Sequence, residues 1–292
     1  MSFHEIGQQL RAYRMESGLK AEDISARLGI SRAALYRYEK GEVIKLETIT
    51  RLAELLKISP LTLLGVGVEY YTKPASFTER LRHIEEEADQ ILQFSGPLCD
   101  LLTSDHYDAA LARIIEEHLL TQDPDLTSVR ARVEQVMAPL KARKKTYQRR
   151  KPTMIAILTA SSIQKLLTDG IAPSAQISGS ARYLARQAAY EELERATSLM
   201  ESEPLGLQLG VMTKGEPNGP FALFRAREHV SLAINPFPAD TLPSTGYSVA
   251  MITNAEDAIT THQHAFEHAW SDVLKGAAAA KWVRDLMLIA RQ

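Results

Sequence analysis

A chain of 292 residues with 45% hydrophobic content is long enough for two or three domains with buried interiors. No apolar run approaches the roughly 20 residues that span a bilayer, the start MSFHEIGQQLRAYR lacks a leader's apolar segment, and the single cysteine, Cys99, excludes an internal disulfide. The expectation is a soluble cytoplasmic protein with no membrane partner, in which Cys99 is a small buried hydrophobe.

The net charge of −2 conceals a partition along the chain. Residues 1–73 carry 11 basic and 9 acidic side chains, residues 74–140 carry 5 and 13, residues 141–151 carry 7 and none, and residues 152–292 carry 11 and 14. Different segments are therefore suited to different partners.

From Phe3 to about Leu64, apolar residues recur at helical spacing, interrupted at Gly18, Gly29, Gly41 and Ser59-Pro60. This predicts five short helices with tight connections: an all-α domain over residues 1–66. Ile6, Leu10, Tyr13, Ile24, Leu28, Leu35, Tyr38, Ile49, Leu52, Ala53 and Leu56 form its expected core.

The segment GVGVEYYTKPAS reads as a linker, residues 67–75. SFTERLRHIEEEADQILQF then starts with Ser76 as an N-cap and Glu79 three residues on. Phe77, Leu81, Ile84, Ala88 and Ile91 follow 4-3-4-3 steps, the spacing of a helix that packs along another helix. Two alternatives stand: a dimer contact with a second copy, or packing within its own domain. Further helices fill a helical middle segment, residues 76–151, with breaks expected at TQDPD and around APL. It ends in the basic run KARKKTYQRRK, which is a solvated helix face, a supplementary phosphate contact or a site for an anionic effector.

Beyond Pro152 the pattern changes. TMIAIL predicts a buried strand, SSIQKLL a helix stopped by Gly170, and GSARYLARQAAYEELERATSLM a long helix. LGLQLGVMT, FALFRAR and HVSLAIN predict an antiparallel meander, and YSVAMIT a last strand before two closing helices. Residues 152–292 thus read as an α+β domain with a mixed antiparallel sheet and covering helices, able to hold a small molecule. Arg182, Tyr183, Arg186, Arg225 and Arg227 are its candidate ligand-binding residues, and the proline-rich loop 236–246 a candidate lid.

The stretch LGISRAALYRYEKG decides the function of the first domain. A helix-turn-helix pair needs a small residue where its helices cross and a glycine in the turn, which Ser25 and Gly29 supply. The second helix needs a capping side chain, inner apolar anchors and an outer polar face; Ser31 caps, Leu35 and Tyr38 anchor, and Arg32, Ala33, Tyr36 and Arg37 point outward.

With these residues in place, Ile6 to Leu64 resembles the lambda-repressor-like, Cro-like helix-turn-helix domain of the xenobiotic-response-element (XRE) family of transcriptional regulators. The resemblance covers about a fifth of the chain. It implies an Arg14–Glu39 pair between helix one and the end of the recognition helix. It also implies base-facing Arg32, Ala33, Tyr36 and Arg37, with Lys40 and the start of helix two facing phosphate, and places Lys20 and Ser31 among the DNA-binding residues. The chain departs from the family pattern at Ala21, where glutamine is usual, and in GEVIKLET, which lacks the usual proline.

Regulators of this kind bind two-fold symmetric operators as homodimers, so the resemblance implies double-stranded DNA and a second copy as partners. The remaining three quarters of the chain then suits a sensor of a small-molecule effector, and a repressor is the expected regulator. The alternative is an antitoxin-like or targeting module whose C-terminal domain binds a protein. A third reading, an enzyme fused to a DNA reader, lacks support: no phosphate-cradling glycine loop, nucleophile elbow or HExxH helix is present. His264 and His268, four apart with Asp272 beyond, are too few to assign a metal. Neither a cofactor nor a catalytic residue is assigned.

Overall fold

The computed structural model describes residues 3–64, 67–172, 175–215, 219–236 and 248–290. The first five helices lie where the apolar spacing predicts: α1 (Phe3–Ser17), α2 (Ala21–Leu28), α3 (Arg32–Glu39), α4 (Leu46–Leu56) and α5 (Pro60–Leu63). Leu10, Ile24, Leu35, Leu52 and Leu63 are fully buried between them. Gly29 ends α2 with φ 70°, a left-handed cap that a side chain would strain. Gly7 has another purpose: a Cβ there would lie 2.5 Å from the Tyr38 carbonyl oxygen, so α1 and the end of α3 meet backbone to backbone.

The remaining elements are β1 (Val68–Tyr71), α6 (Pro74–Glu87), β2 (Gln90–Phe94), α7 (Asp105–Leu120), α8 (Leu126–Arg150), β3 (Thr153–Thr159), α9 (Ala160–Asp169) and α10 (Gly179–Ser202). They are followed by β4 (Leu207–Met212), β5 (Phe221–Arg225), β6 (Val230–Ile234), β7 (Ala250–Thr253), α11 (Glu256–Asp272), β8 (Leu274–Lys275) and α12 (Gly276–Ala290). Among the described residues the strands form one sheet in the order β1-β7-β6-β5-β2-β3-β4-β8. The central β2, β3 and β4 run parallel, joined by helical crossovers, and the other pairings are antiparallel. An all-α N-terminal domain thus precedes an α+β domain with a mixed sheet.

The two sheet faces differ. Ile91, Met154, Ala156, Phe224 and Ile252 belong to a large core shared with the helices. Leu92, Phe94, Ile157, Phe221, Leu223 and Leu232 point the other way and form a smaller core with Phe266 of α11. Arg143–Glu85 and Lys144–Asp108, both buried, pin α8 to α6 and α7 at 2.6 and 2.5 Å.

Several expectations are corrected. The segment expected as a linker contributes the edge strand β1, and α6 begins at Pro74, with Lys73 rather than Ser76 at the N-cap position and no side chain capping it. The helix expected to continue through Phe94 stops at Glu87, because Ala88 turns extended and Asp89 donates its backbone N–H to the Arg225 carbonyl at 2.8 Å. The middle segment therefore includes a central strand. Phe77, Leu81 and Ile84 are buried in the chain's own core; Ala88 lies past the helix end, and Ile91 is buried in β2. None of the five is available for a dimer contact.

The break expected around APL does not occur, since α8 runs through Pro139. The expected meander is also split: β4 pairs with β3 and β8, and β2 and β3 stand between it and β5. Strands β5 and β6 do form the expected hairpin, but the partners of β4 lie far away in sequence, which local alternation cannot report.

Candidate functional site

Helix α3 presents two unlike sides. Leu35 and Glu39 are buried, whereas Arg32, Ala33, Tyr36, Arg37 and Lys40 are exposed, together with Lys20 at the start of α2. The Ser31 hydroxyl accepts the Ala34 backbone N–H at 3.0 Å and caps the helix, as its sequence position predicts. Arg32 Nη1 lies 2.8 Å from Glu22 and Arg37 Nε lies 3.5 Å from Glu42; all four side chains are more than half exposed. Exposed pairs of this kind contribute about 0–1 kcal/mol, so a nucleic-acid phosphate or base edge can replace either partner readily. Ala21, where the sequence departs from the family pattern, is buried at the first position of α2.

The inner side of α3 is fixed by the implied pair. Arg14 donates from Nε and Nη2 to the two oxygens of Glu39 at 2.5 and 3.0 Å, a bidentate geometry that raises the Arg14 pKa, chiefly through these hydrogen bonds. This fork and the Gly7 contact hold α3 to α1 at its C-terminal end.

Polar contacts join α1 to the rest of the chain. Tyr13 stacks on Tyr71 of β1 with centroids 5.4 Å apart, and Arg11 pairs with Glu79 at 3.3 Å. Gln9 Nε2 donates to Glu69 at 2.9 Å, and the same buried carboxylate accepts from Arg80 at 3.0 Å and from the Tyr71 hydroxyl at 2.6 Å. Glu16 accepts from Thr72, Lys73 and Ser76. Desolvation pushes the Tyr71 hydroxyl well above its ordinary pKa, so it remains a neutral donor to Glu69.

The sheet carries two cavities of interest. One, of about 820 Å³, lies between the smaller core face and α11 and is lined by Phe94, Met212, Phe221, Ile234, His262 and Ala269, among others. That volume is within the roughly 300–1,000 Å³ of ligand sites. His262 lies edge-on to Phe221 at 4.9 Å, and its Nδ1 is 2.8 Å from the Ala258 carbonyl. A carbonyl only accepts, so Nδ1 carries the proton and a neutral ring leaves Nε2 as an acceptor. The second, of about 290 Å³, lies by the opposite face near Ser95, Tyr107 and Arg143.

The expected effector residues do not converge on either cavity. Arg182, Tyr183 and Arg186 occupy the exposed side of α10, because Ala181, Ala185, Ala188 and Ala189 take the packed side. Arg225 ends β5 and donates to Gln90 at 2.8 Å, and Arg227 is exposed in the following turn. In the basic run, Arg143 and Lys144 are spent on buried carboxylates, while Lys141, Lys145, Arg149, Arg150 and Lys151 are exposed. Of the weighed α11 residues, His268 and Asp272 line the larger cavity and His264 does not. Apart from Pro236, the expected lid loop lies outside the described residues. Local sequence offers one signal for the missed His262: it sits one turn before Phe266 on the apolar stripe of α11.

Residues 5–64 match the family model of a helix-turn-helix domain. A Pyrococcus horikoshii protein predicted to be an HTH-type transcriptional regulatory protein is 48% identical over 50 residues, which span 17% of this chain and 16% of that one. An archaeal chromatin protein, TrmBL2, whose structure shows a novel mode of DNA binding, overlaps 78% of this chain and 61% of its own at 14% identity, with a TM-score of 0.33. That likeness is too low to carry an argument. No described helix is long and apolar enough to cross a membrane. With the capped α3, its arginine-bearing outer side and the bidentate pair behind it, residues 5–64 are a helix-turn-helix domain.

Proposed function

We propose that the chain is a sequence-specific DNA-binding transcriptional regulator, a repressor rather than an activator, that acts as a homodimer on a two-fold operator and answers a small molecule held in the α/β domain. One observation carries the DNA assignment: Arg32, Ala33, Tyr36, Arg37 and Lys40 share the exposed side of α3, while Leu35 and Glu39 anchor the other. In this arrangement each arginine reaches a guanine edge bidentately, and Lys20 and Lys40 meet phosphate. The Pyrococcus horikoshii relative's description as an HTH-type regulator supports the same reading.

Selection of bound duplexes from a random-sequence pool tests it. The chain should enrich a two-fold symmetric site; Arg32→Ala and Arg37→Ala should each weaken that site by about 1–3 kcal/mol and relax the base preference at one position per half-site. Unchanged affinity and preference in both variants would remove α3 as the reading helix.

For the effector, the cavity beside α11 supports an apolar molecule with one hydrogen-bonding group facing His262 Nε2. Trp270 stacks on Phe266 next to this cavity, with Lys275 Nζ 4.7 Å from its ring centroid. A ligand entering the cavity should change Trp270 fluorescence in a Trp282→Phe background, and a library that produces neither quenching nor thermal stabilisation opposes sensing here. The chain functions as a regulator and not as an enzyme.

A further inference from the structure

A second constellation lies where the helix-turn-helix domain meets the sheet. Glu5 comes from the first turn of α1, Glu87 is the last residue of α6, and His229 stands in the turn between β5 and β6. One ligand atom from each lies within 4.8 Å of the others, and among the described residues this is the group of three that can converge on an ion. His229 Nε2 is 3.8 Å from a Glu87 oxygen. Sequence gives no hint of it, because the three residues are separated by 82 and 142 positions.

Two further observations favour a cation. The three residues line a cavity of about 220 Å³ that also receives Glu228 and Arg80. The Arg80 guanidinium is already committed to the buried Glu69, and among the described residues no lysine lines the space. Gln9, 3% exposed, lines the same cavity; its Nε2 donates to Glu69, but its buried Oε1 has no hydrogen-bond partner. Such an oxygen suits a water bound to a metal ion.

We propose that Glu5, Glu87 and His229 bind one divalent first-row transition ion, of the Zn²⁺ or Mn²⁺ class, that bridges the helix-turn-helix domain and the sheet. One imidazole with two carboxylates selects such ions over Mg²⁺ and Ca²⁺, which take oxygen ligands. Ligand atoms around tetrahedral Zn²⁺ stand about 3.4 Å apart, so closure from the present spacing takes side-chain rotation of about 1 Å. Glu16 already ties the far end of α1 to Thr72, Lys73 and Ser76. An ion at Glu5 fastens the near end, so α1 is held at both ends and metal occupancy adds to the contacts that hold α1, and α3 with it, against the rest of the chain. Only this regulatory consequence rests on the DNA reading; ion binding does not.

Metal-stripped full-length protein should be dialysed against ZnCl₂ and separately against MnCl₂, with the bound metal measured by mass spectrometry. The expected result is one ion per chain, weakened at least tenfold in His229→Ala and in Glu87→Gln, and unchanged in the His264→Ala, His268→Ala double variant. Substituted Co²⁺ should give visible absorption bands that disappear in His229→Ala, a readout separate from the fold, which circular dichroism monitors. Zinc should also slow amide exchange in both the first turn of α1 and residues 226–229. No stoichiometric metal, retention in the His229 and Glu87 variants, loss on changing His264 and His268, or protection absent from α1 would each overturn the proposal. None of these measurements involves DNA, so they fail or succeed apart from the operator experiment.

Discussion

Replacing Gly7 with alanine opposes two effects of known size. Helix propensity alone favours alanine in the middle of α1 by about 1 kcal/mol. The added Cβ, however, would lie 2.5 Å from the Tyr38 carbonyl oxygen and 2.8 and 2.9 Å from the Glu39 carbonyl oxygen and carbon, distances that carbon atoms do not adopt. These are backbone atoms at the end of α3, so no side-chain rotation relieves the contact, and α1 must move away. Such overpacking costs typically 1–3 kcal/mol, here toward the upper end, and the movement also stretches the Arg14–Glu39 fork. The net expectation is a loss of about 1–2 kcal/mol, read as a lower urea midpoint by circular dichroism, with faster amide exchange in α3.

Gly29→Ala is the control. Its φ of 70° strains an alanine by about 1–2 kcal/mol, yet nothing lies within 4 Å of the new Cβ, so α3 exchange should keep its pattern relative to α1. A Gly7→Ala protein as stable as the parent, or more so, would refute the backbone contact between α1 and α3.

Other outcomes follow from the buried polar groups. Arg80→Met should lower stability by about 3–5 kcal/mol, because it strips the buried Glu69 of its cationic partner, and Glu69→Gln added to it should recover part of the loss; urea unfolding of the double-mutant cycle measures both. The Glu79 carboxyl is held at about 2, below its usual 4.5, first by the hydrogen bond with His83 and then by Arg82 and Arg11. Its folded pKa is depressed, so its stabilisation is present above about 4.5 and is lost as the pH falls toward 2. Glu79→Gln should therefore be less stable than the parent at pH 7 by about 1–3 kcal/mol, with the gap closing between pH 5 and 2. Burial pushes the Cys99 thiol up to about 12. Ellman's reagent at pH 8 should consequently label it only after denaturation, and rapid native labelling would show that its site opens.

The helix-turn-helix domain was legible because every one of its signals is local. Glycines at helix ends, Ser31 at a cap and apolar residues at 3.6 spacing all act within a turn or two of themselves. The Arg14–Glu39 pair was available only through the resemblance, since a separation of 25 residues leaves no local trace. Failures concentrated where the sheet recruits short pieces. VEYY has the β-branched and aromatic residues of a strand, but its neighbouring glycines and Pro74 read more strongly as a linker. In β2, Ile91 and Leu92 are both buried because the central strand is covered on both faces, so alternation disappears and the last helical-looking step, Ala88 to Ile91, extends into it. Arg182 and Arg186 were attractive for their charge, whereas the larger cavity is lined mostly by apolar side chains.

The edge strand β1 also redefines what can be exchanged between proteins. Tyr71 completes the stacking surface for Tyr13, and Arg80 neutralises the carboxylate that Gln9 contacts, so the surface that accepts α1 is made by residues 68–87. A chimera cut at residue 66 would leave α1 with a bare aromatic face and a new host with none to receive it. A graft carrying residues through Glu87 brings its own socket, but it also brings a strand whose natural mate is β7, with Tyr71 opposite Ala250 and Val68 opposite Thr253. Any recipient must offer an open sheet edge in that register, which makes this helix-turn-helix domain transferable only among bodies that share the same unpaired strand.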